Sequence, residues 1–92
     1  MFIVVNCFTK GGLEECRRFE THDEAFKWIA GNVKDYYDFD LMSVHPLADN
    51  SIPLVYNDST LSVWASYDSC TCYHRDDNNR HDYTDYYLII EA

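Results

Sequence analysis

Residues 21–37, "THDEAFKWIAGNVKDYY", give the clearest secondary-structure signal in the chain, because their apolar residues recur at the spacing of an α-helix. Thr21 and Glu24 match a capping box, in which the threonine oxygen accepts a hydrogen bond from the Glu24 backbone N–H and the glutamate reaches back. One apolar stripe runs along the segment, through Ala25, Phe26, Ile29 and Val33. The pattern therefore predicts an amphipathic helix that packs its stripe against a hydrophobic core.

The end of this helix has two alternatives. If Gly31 breaks the helix, it ends at Ala30; if the glycine is tolerated, the helix continues to about Tyr37. Trp28 lies off the centre of the apolar stripe, so we expect it at the boundary of the core.

A β-hairpin is predicted before the helix. Residues 2–9 are rich in β-branched and aromatic side chains, and residues 13–20 form the natural second strand after a glycine pair. A two-residue loop at Gly11-Gly12 would place Cys7 opposite Cys16, whereas a three-residue loop would separate the two thiols. The register of the hairpin stays open at this point.

Strand patterns also follow the helix. Three further strands are predicted, at residues 39–48, 60–75 and 81–92, with residues 49–59 as an irregular connection. In residues 60–75 the alternation points Leu61, Val63, Ala65 and Tyr67 to one side. The order β-β-α-β-β-β predicts an α+β fold, with an antiparallel sheet of four to five strands and one helix packed on a face.

The length and the charge distribution restrict what the chain can be. Its 92 residues suffice for a single domain, 1–92, and a hydrophobic content of 47% is enough for a core. The formal net charge is −9. Five acids and five bases cancel in residues 1–34, whereas residues 35–92 hold eleven acids against Arg75 and Arg80. This imbalance disfavours direct binding of nucleic acid, which requires a basic surface.

The opening segment favours a location in the cytoplasm. "MFIVVNCF", residues 1–8, has no basic region and too short an apolar run for a secretory signal, and no stretch approaches a membrane span. In a reducing compartment the four cysteines are expected as thiols and not as disulfides.

A cluster of cysteines and histidines raises the alternative of a small metal-binding interaction module. Its candidate ligands are Cys70, Cys72, His74 and His81. Thiolates and imidazoles suit zinc, but residues two apart on a strand lie roughly 6.6 Å apart, whereas structural zinc sites use more closely curled C-x₂₋₄-C turns. We therefore expect ordinary strand residues here, and no cofactor.

Catalytic signatures are absent from the sequence. Cys70 or Cys72 with His74 and Asp82 supplies the residue types of a thiol-dependent enzyme, but the only glycines that might build an oxyanion or phosphate site lie far away in sequence. We therefore predict that the protein is not an enzyme.

The remaining pattern combines aspartates with tyrosines. "DYYDFD" at residues 35–40 and "RDDNNRHDYTDYY" at residues 75–87 predict one acidic and aromatic surface. Its candidate partner-binding residues are Asp35, Tyr36, Tyr37, Asp38, Asp40, Asp76, Asp77, Asp82, Tyr83, Asp85, Tyr86 and Tyr87. Carboxylates pair with arginine through charge-assisted bonds, and tyrosine faces accept cations, so a basic protein groove is the expected partner. The alternative is a solvated polar rim whose tyrosines are half-packed in a thin core.

In its length, its segregated charge and its α+β character without a catalytic motif, the chain resembles the small acidic inhibitors of bacteriophages and mobile elements. These include anti-CRISPR proteins and antirestriction DNA mimics. The resemblance implies a non-enzymatic phage protein that binds the basic, nucleic-acid-binding surface of a host defence complex such as a CRISPR effector, in the host cytoplasm. It carries no individual residue over to this chain.

Overall fold

A computed structural model of the chain describes residues 1–8, 12–44, 54–75 and 83–92. These ranges hold six strands and two helices. In chain order the elements are β1 (Phe2–Phe8), β2 (Gly12–Phe19), α1 (His22–Tyr37), α2 (Leu41–Val44), β3 (Leu54–Asn57), β4 (Leu61–Ala65), β5 (Ser69–His74) and β6 (Tyr83–Glu91). All neighbouring strands pair antiparallel, in the spatial order β2-β1-β6-β5-β4-β3. The predicted α+β class is confirmed, and the sheet has six strands where four to five were expected.

The helix α1 begins as the sequence predicts and takes the longer of its two predicted ends. The Thr21 hydroxyl oxygen accepts from the Glu24 backbone N–H at 3.1 Å and donates to the Glu24 carboxylate at 3.1 Å. The predicted stripe is buried, Trp28 is half-buried, and the helix continues through Gly31 to Tyr37. Local capping and helical periodicity are thus sufficient to predict this element.

We expect Gly31→Ala to raise the free energy of unfolding by roughly 1 kcal/mol, because alanine has the better helix propensity. Gly31 is an exposed helix residue, and a Cβ added there meets no atom within 4 Å. Gly31→Thr adds the same Cβ on a poorer helix former, so it should give a smaller gain. Urea unfolding followed by circular dichroism measures both, and a loss of stability in Gly31→Ala would contradict the packing described here.

The sheet has an inner face, which α1 covers, and an outer face on the opposite side. α1 lies against β1, β2 and β6. Buried side chains from strands and helices form one core on the inner face: Val4, Leu61, Val63, Ala65, Cys70, Cys72, Tyr87 and Ile89, with Ala25, Phe26, Ile29, Ala30, Val33 and Leu41. The predicted inward direction of the first three alternating residues in β4 is confirmed. Packing of this core provides most of the stability available to a sheet with a single helix layer.

The hairpin of β1 and β2 has a register that separates the two exposed cysteines. Cys16 pairs with Val5, and Cys7 pairs with Leu13, because the register shifts by one residue after Asn6. Of the two predicted registers, the structure therefore has one in which Cys7 does not face Cys16, and both thiols are free. The predicted glycine loop lies partly in residues 9–11, outside the described residues.

The segment after α1 differs from its prediction. Residues 39–48 were expected as a strand, but Leu41–Val44 is the short helix α2, and residues 45–48 lie outside the described part of the chain. The Asp40 carboxylate accepts from the Ser43 backbone N–H at 3.3 Å, which caps this turn of helix. A local cap outweighs the strand propensity of these residues because no neighbouring strand pairs with the described part of the segment.

The predicted strand at residues 60–75 is a hairpin, and part of the predicted connection before it is a strand. The Ser66 backbone N–H donates to the Ser69 carbonyl at 2.8 Å, which closes a turn at Tyr67 and divides the segment into β4 and β5. β3 pairs with β4 at the edge of the sheet. The Tyr67 ring was expected to continue the inward alternation; it lies in the turn and stacks on the His22 ring at 3.8 Å.

Candidate functional site

A cleft of about 350 Å³ opens between the C-terminal end of α1 and the turn that connects β3 with β4. Its described lining residues combine carboxylates with aromatic rings, and none of them is a lysine or an arginine: Asp35, Tyr36, Tyr37, Asp38, Phe39, Tyr56, Asp58, Thr60, Leu61 and His74. We call this feature the acidic-aromatic cleft. Three of its lining residues are aspartates and four carry phenyl or phenol rings, so its chemistry suits a cation with an apolar or planar surface.

The first wall of the cleft is the end of α1. Asp38 has φ 54° and ψ 38°, the left-handed conformation, and its backbone N–H donates to the Lys34 carbonyl at 3.0 Å. Its carboxylate also lies 2.9 Å from the Lys34 ammonium, and this hydrogen bond raises the pKa of Lys34. The left-handed residue ends the helix and turns the chain, which brings Phe39 into the cleft.

The second wall is a turn built around Asp58. Its Oδ1 accepts from the backbone N–H groups of Thr60 and Leu61 at 2.8 and 2.7 Å, and Tyr56 donates its hydroxyl to Oδ2 at 2.8 Å. The backbone hydrogen bond from Thr60, followed by that from the Tyr56 hydroxyl, lowers the pKa of Asp58 to about 2. The stabilisation that these bonds provide is therefore full above the ordinary pKa of 3.8 and is lost as the pH falls through about 2.

Aromatic contacts join the two walls. The rings of Phe39 and Tyr56 lie 4.7 Å apart between centroids, tilted by 49°, and the rings of Tyr37 and His74 lie 6.4 Å apart. These contacts hold the end of α1 close to β3 and β5. The cleft is thus formed by segments that are distant in sequence.

A buried carboxyl group lies behind the cleft. Asp85 is 6% exposed and accepts three hydrogen bonds: from Asn6 Nδ2 at 2.7 Å, from the Tyr37 hydroxyl at 3.1 Å and from the Tyr87 hydroxyl at 3.2 Å. Burial, and then the nearby Asp85 carboxyl, raises the pKa of Tyr87 well above its ordinary value. This network connects the floor of the cleft to β1 and β6 and fixes Tyr37 in place.

The structure divides the predicted partner-binding residues into several groups. Asp35, Tyr36, Tyr37 and Asp38 line the cleft, and Asp40 is exposed next to it. Asp76, Asp77 and Asp82 lie outside the described residues, as does the side chain of Tyr83, whose backbone pairs with that of His74.

Three further predicted contact residues lie on β6, and two of them are buried. Asp85 and Tyr87 point to the inner face and are buried, because each fills a position of the core network. Tyr86 points to the outer face, since successive strand residues alternate. The described part of the last hairpin therefore does not extend the exposed surface of "DYYDFD".

Phe39, Tyr56 and Asp58 were missed as site residues by the sequence analysis. Asp58 has a local signal, because an aspartate two residues before Thr60 is typical of a turn in which the side chain accepts backbone N–H groups. Tyr56 has none, since its place in the cleft depends on the pairing of β3 with β4.

The cysteines of β5 are placed for packing. Cys70 and Cys72 are fully buried on the inner face, and a hydrogen bond with Cys72, together with burial, raises the pKa of the Cys70 thiol. A nucleophilic cysteine requires the opposite shift. Within the described residues no three cysteine, histidine or acidic side chains are arranged to hold a metal ion, and His81 lies outside those residues.

Alkylation of the native protein should distinguish two exposed, reactive thiols from two buried, unreactive ones. We expect exposed Cys7 and Cys16 to react with a maleimide at the rate of a model thiol at low micromolar protein, whereas Cys70 and Cys72 react only after unfolding. Intact-mass spectrometry counts the adducts, and the same reaction in guanidinium should give four. Fast labelling of Cys70 in the native protein would contradict its buried position.

Comparisons with protein-family models, with curated proteins and with solved structures found no match. In the part of the chain that the structure describes, no helix has the length and apolar character needed to cross a membrane.

Proposed function

We propose that the chain is a non-enzymatic inhibitor whose acidic-aromatic cleft binds lysine or arginine side chains on the nucleic-acid-binding surface of a partner protein. The observation that carries this proposal is the composition of the described lining: three aspartates and four tyrosine or phenylalanine rings, with no lysine or arginine among these residues. In this proposal the protein acts in the host cytoplasm, as an anti-CRISPR-like protein that occupies a surface shaped for phosphates.

The chemistry of the cleft favours arginine in particular. A guanidinium group forms paired, charge-assisted hydrogen bonds with a carboxylate and also stacks on aromatic rings. Asp58 remains ionised at physiological pH because its pKa is about 2. A cation in the cleft would thus meet a fixed negative charge and the faces of Tyr36 and Tyr56, both of which are exposed.

The conformation of Asp38 supports a role for its carboxylate. A residue at positive φ after a helix is usually glycine, and asparagine and aspartate are the other residues that adopt this conformation most readily. This chain has an aspartate at φ 54°, directly at the rim of the cleft. The turn thus directs a carboxylate to the rim, where it also pairs with Lys34 at 2.9 Å.

The net charge of −9 adds long-range attraction to the local contacts. A concentrated negative charge increases the association rate with a basic surface, and this increase falls as salt is added. Competition with nucleic acid follows, since both ligands would neutralise the same basic side chains.

The decisive variant removes charge from the cleft only. Asp35→Asn with Asp38→Asn changes the net charge by +2, and Glu20→Gln with Glu91→Gln is the matched control. Glu20 is exposed before the start of α1, so about 24 Å of helix separates it from the cleft. We expect about tenfold weaker binding of a deca-arginine peptide for the cleft variant at low salt, and less than a twofold change for the control.

A second assay tests inhibition itself. The protein is titrated into purified CRISPR effector complexes with labelled target DNA, and the fraction of bound DNA is measured at increasing salt. The proposal expects stoichiometric loss of DNA binding to at least one complex, reversed by the cleft variant and not by the control. Equal peptide affinities of the two variants would overturn the role of the cleft, and undiminished DNA binding by every complex would overturn this partner class.

A further inference from the structure

The outer face of the sheet carries apolar side chains that no described residue covers. They come from three strands, with Trp64 45% and Ile90 43% exposed: Ile3, Val5, Trp64, Tyr86, Leu88 and Ile90. Ile3 lies opposite Ile90, and Val5 lies opposite Leu88, so these residues form continuous cross-strand pairs. Exposed apolar patches of this extent mark interaction surfaces.

Neither helix packs on the outer face. α1 and the buried Leu41 of α2 pack on the inner face. The molecule is 19 Å across its thinnest dimension, which matches two layers about 10 Å apart with their side chains. A sheet with one apolar face open to water is incomplete as a packed unit.

The charges on this face indicate what can cover it. None of the described strand side chains that point outward is acidic, and Arg18 together with Arg75 provides the charge there; the Arg75 guanidinium lies 5.1 Å over the Tyr73 ring. In a chain of net charge −9, the described strand residues of this face would therefore bring no carboxylates together between two copies. A basic partner, by contrast, gains no attraction from it.

The outer face is broad enough for a second sheet to lie on it. Six hydrogen-bonded strands, each about 4.8 Å from the next, give it a width of about 24 Å between the two edge strands. Two twisted sheets pack face to face about 10 Å apart, as in β-sandwiches.

We propose that a second copy of this chain covers the outer face with its own outer face, which gives a two-fold symmetric dimer with the layer order helix, sheet, sheet, helix. The two acidic-aromatic clefts then lie on the inner faces, away from the interface. The proposed dimer does not depend on the proposed function, because its interface is the outer face of the sheet and the cleft lies on the inner side.

The oligomeric state tests this proposal directly. Sedimentation equilibrium should show an average mass that rises from 10.8 kDa towards twice that value as the protein concentration increases. Ile90→Glu should raise the dissociation constant at least tenfold, because it buries a charge against the partner's apolar face. Gly31→Glu adds the same charge on the exposed side of α1 and should leave the dissociation constant within twofold.

Salt and thiol reactivity provide two further readouts. Added salt should strengthen the dimer, since it screens the repulsion between two chains of charge −9, whereas it weakens binding in the cleft. Cys16, opposite Val5 on the outer face, should be alkylated more slowly as the protein concentration rises, and Ile90→Glu should abolish this protection.

If Ile90→Glu fails to fold, Val55→Glu replaces it, because Val55 is 69% exposed on the same face. A mass of 10.8 kDa at every concentration, or equal dimerisation of the glutamate variants, would overturn the proposal.

Discussion

Asp85→Ala should lower the free energy of unfolding by about 3 kcal/mol, because it removes the acceptor of three hydrogen bonds in the interior. The Tyr87 hydroxyl and the Asn6 amide are both buried, so water cannot replace the lost partner without opening the core. A buried donor without an acceptor costs roughly 1–3 kcal/mol. Asn6 keeps its second bond, to the Tyr86 carbonyl at 3.1 Å, which limits its share of the loss.

Urea unfolding of four proteins distinguishes the effect of losing these hydrogen bonds from the effect of losing side-chain volume. These are the wild type, Asp85→Ala, Asn6→Ala and the double variant. Because the two side chains share one hydrogen bond, the double variant should lose at least 1 kcal/mol less than the sum of the single losses. Glu20→Ala, at an exposed position before α1, is the control and should change stability by less than about 0.5 kcal/mol, in roughly the range of surface substitutions. Additive losses at residues 6 and 85 would show that the network does not act as described.

Leu41→Ala should also lower the free energy of unfolding by about 3 kcal/mol, the usual loss for a buried leucine. Leu41 is fully buried although it lies in a helix of four residues, which has little stability of its own. It therefore anchors the segment after Asp38 to the core. The loss combines the transfer energy of the side chain with the cavity that it leaves.

The neighbouring Met42 provides the control, because it is only half-buried against the same core. Met42→Ala should cost about 1 kcal/mol, in proportion to the smaller apolar area that it removes from water. Thermal or urea unfolding measures both variants. Equal losses at the two positions would indicate that the segment does not dock through Leu41.

The parts of the fold that were predicted correctly depend on contacts close in sequence. The start of α1 follows from Thr21 and Glu24, three residues apart, and its buried stripe follows from helical spacing. The hairpin of β1 and β2 also joins adjacent segments. In these places the residues that form the structure lie within one short window of the chain.

The parts that were missed depend on distant partners or on competing local signals. β3 has one half-buried residue followed by three exposed ones, so its sequence lacks the alternation that identifies a strand. Its formation depends on backbone pairing with β4. At residues 66–69 the alternation runs on although the chain reverses, because Tyr67 occupies the turn and packs on His22.

The sequence indicates one wall of the acidic-aromatic cleft and not the other. The acidic and aromatic character of residues 35–38 is visible in the sequence, and these residues do line the cleft. The opposite wall was not predictable, because it is brought there by the fold. For Asp85 the error is the converse. The acidic composition of residues 75–87 suggested a surface carboxylate, whereas three hydrogen-bond donors hold this side chain in the interior.

The strand order has a consequence for biosynthesis. β6, the last strand in sequence, lies between β1 and β5 and joins the two halves of the sheet. A nascent chain that still lacks Tyr83–Glu91 would hold the hairpin of β1 and β2 with α1 on one side, and the β3-β4-β5 meander on the other, with no sheet contact between them. The interior can therefore close only after β6 has been synthesised and has paired on both sides, so the sheet depends on contacts between distant segments and is expected to form slowly for its size.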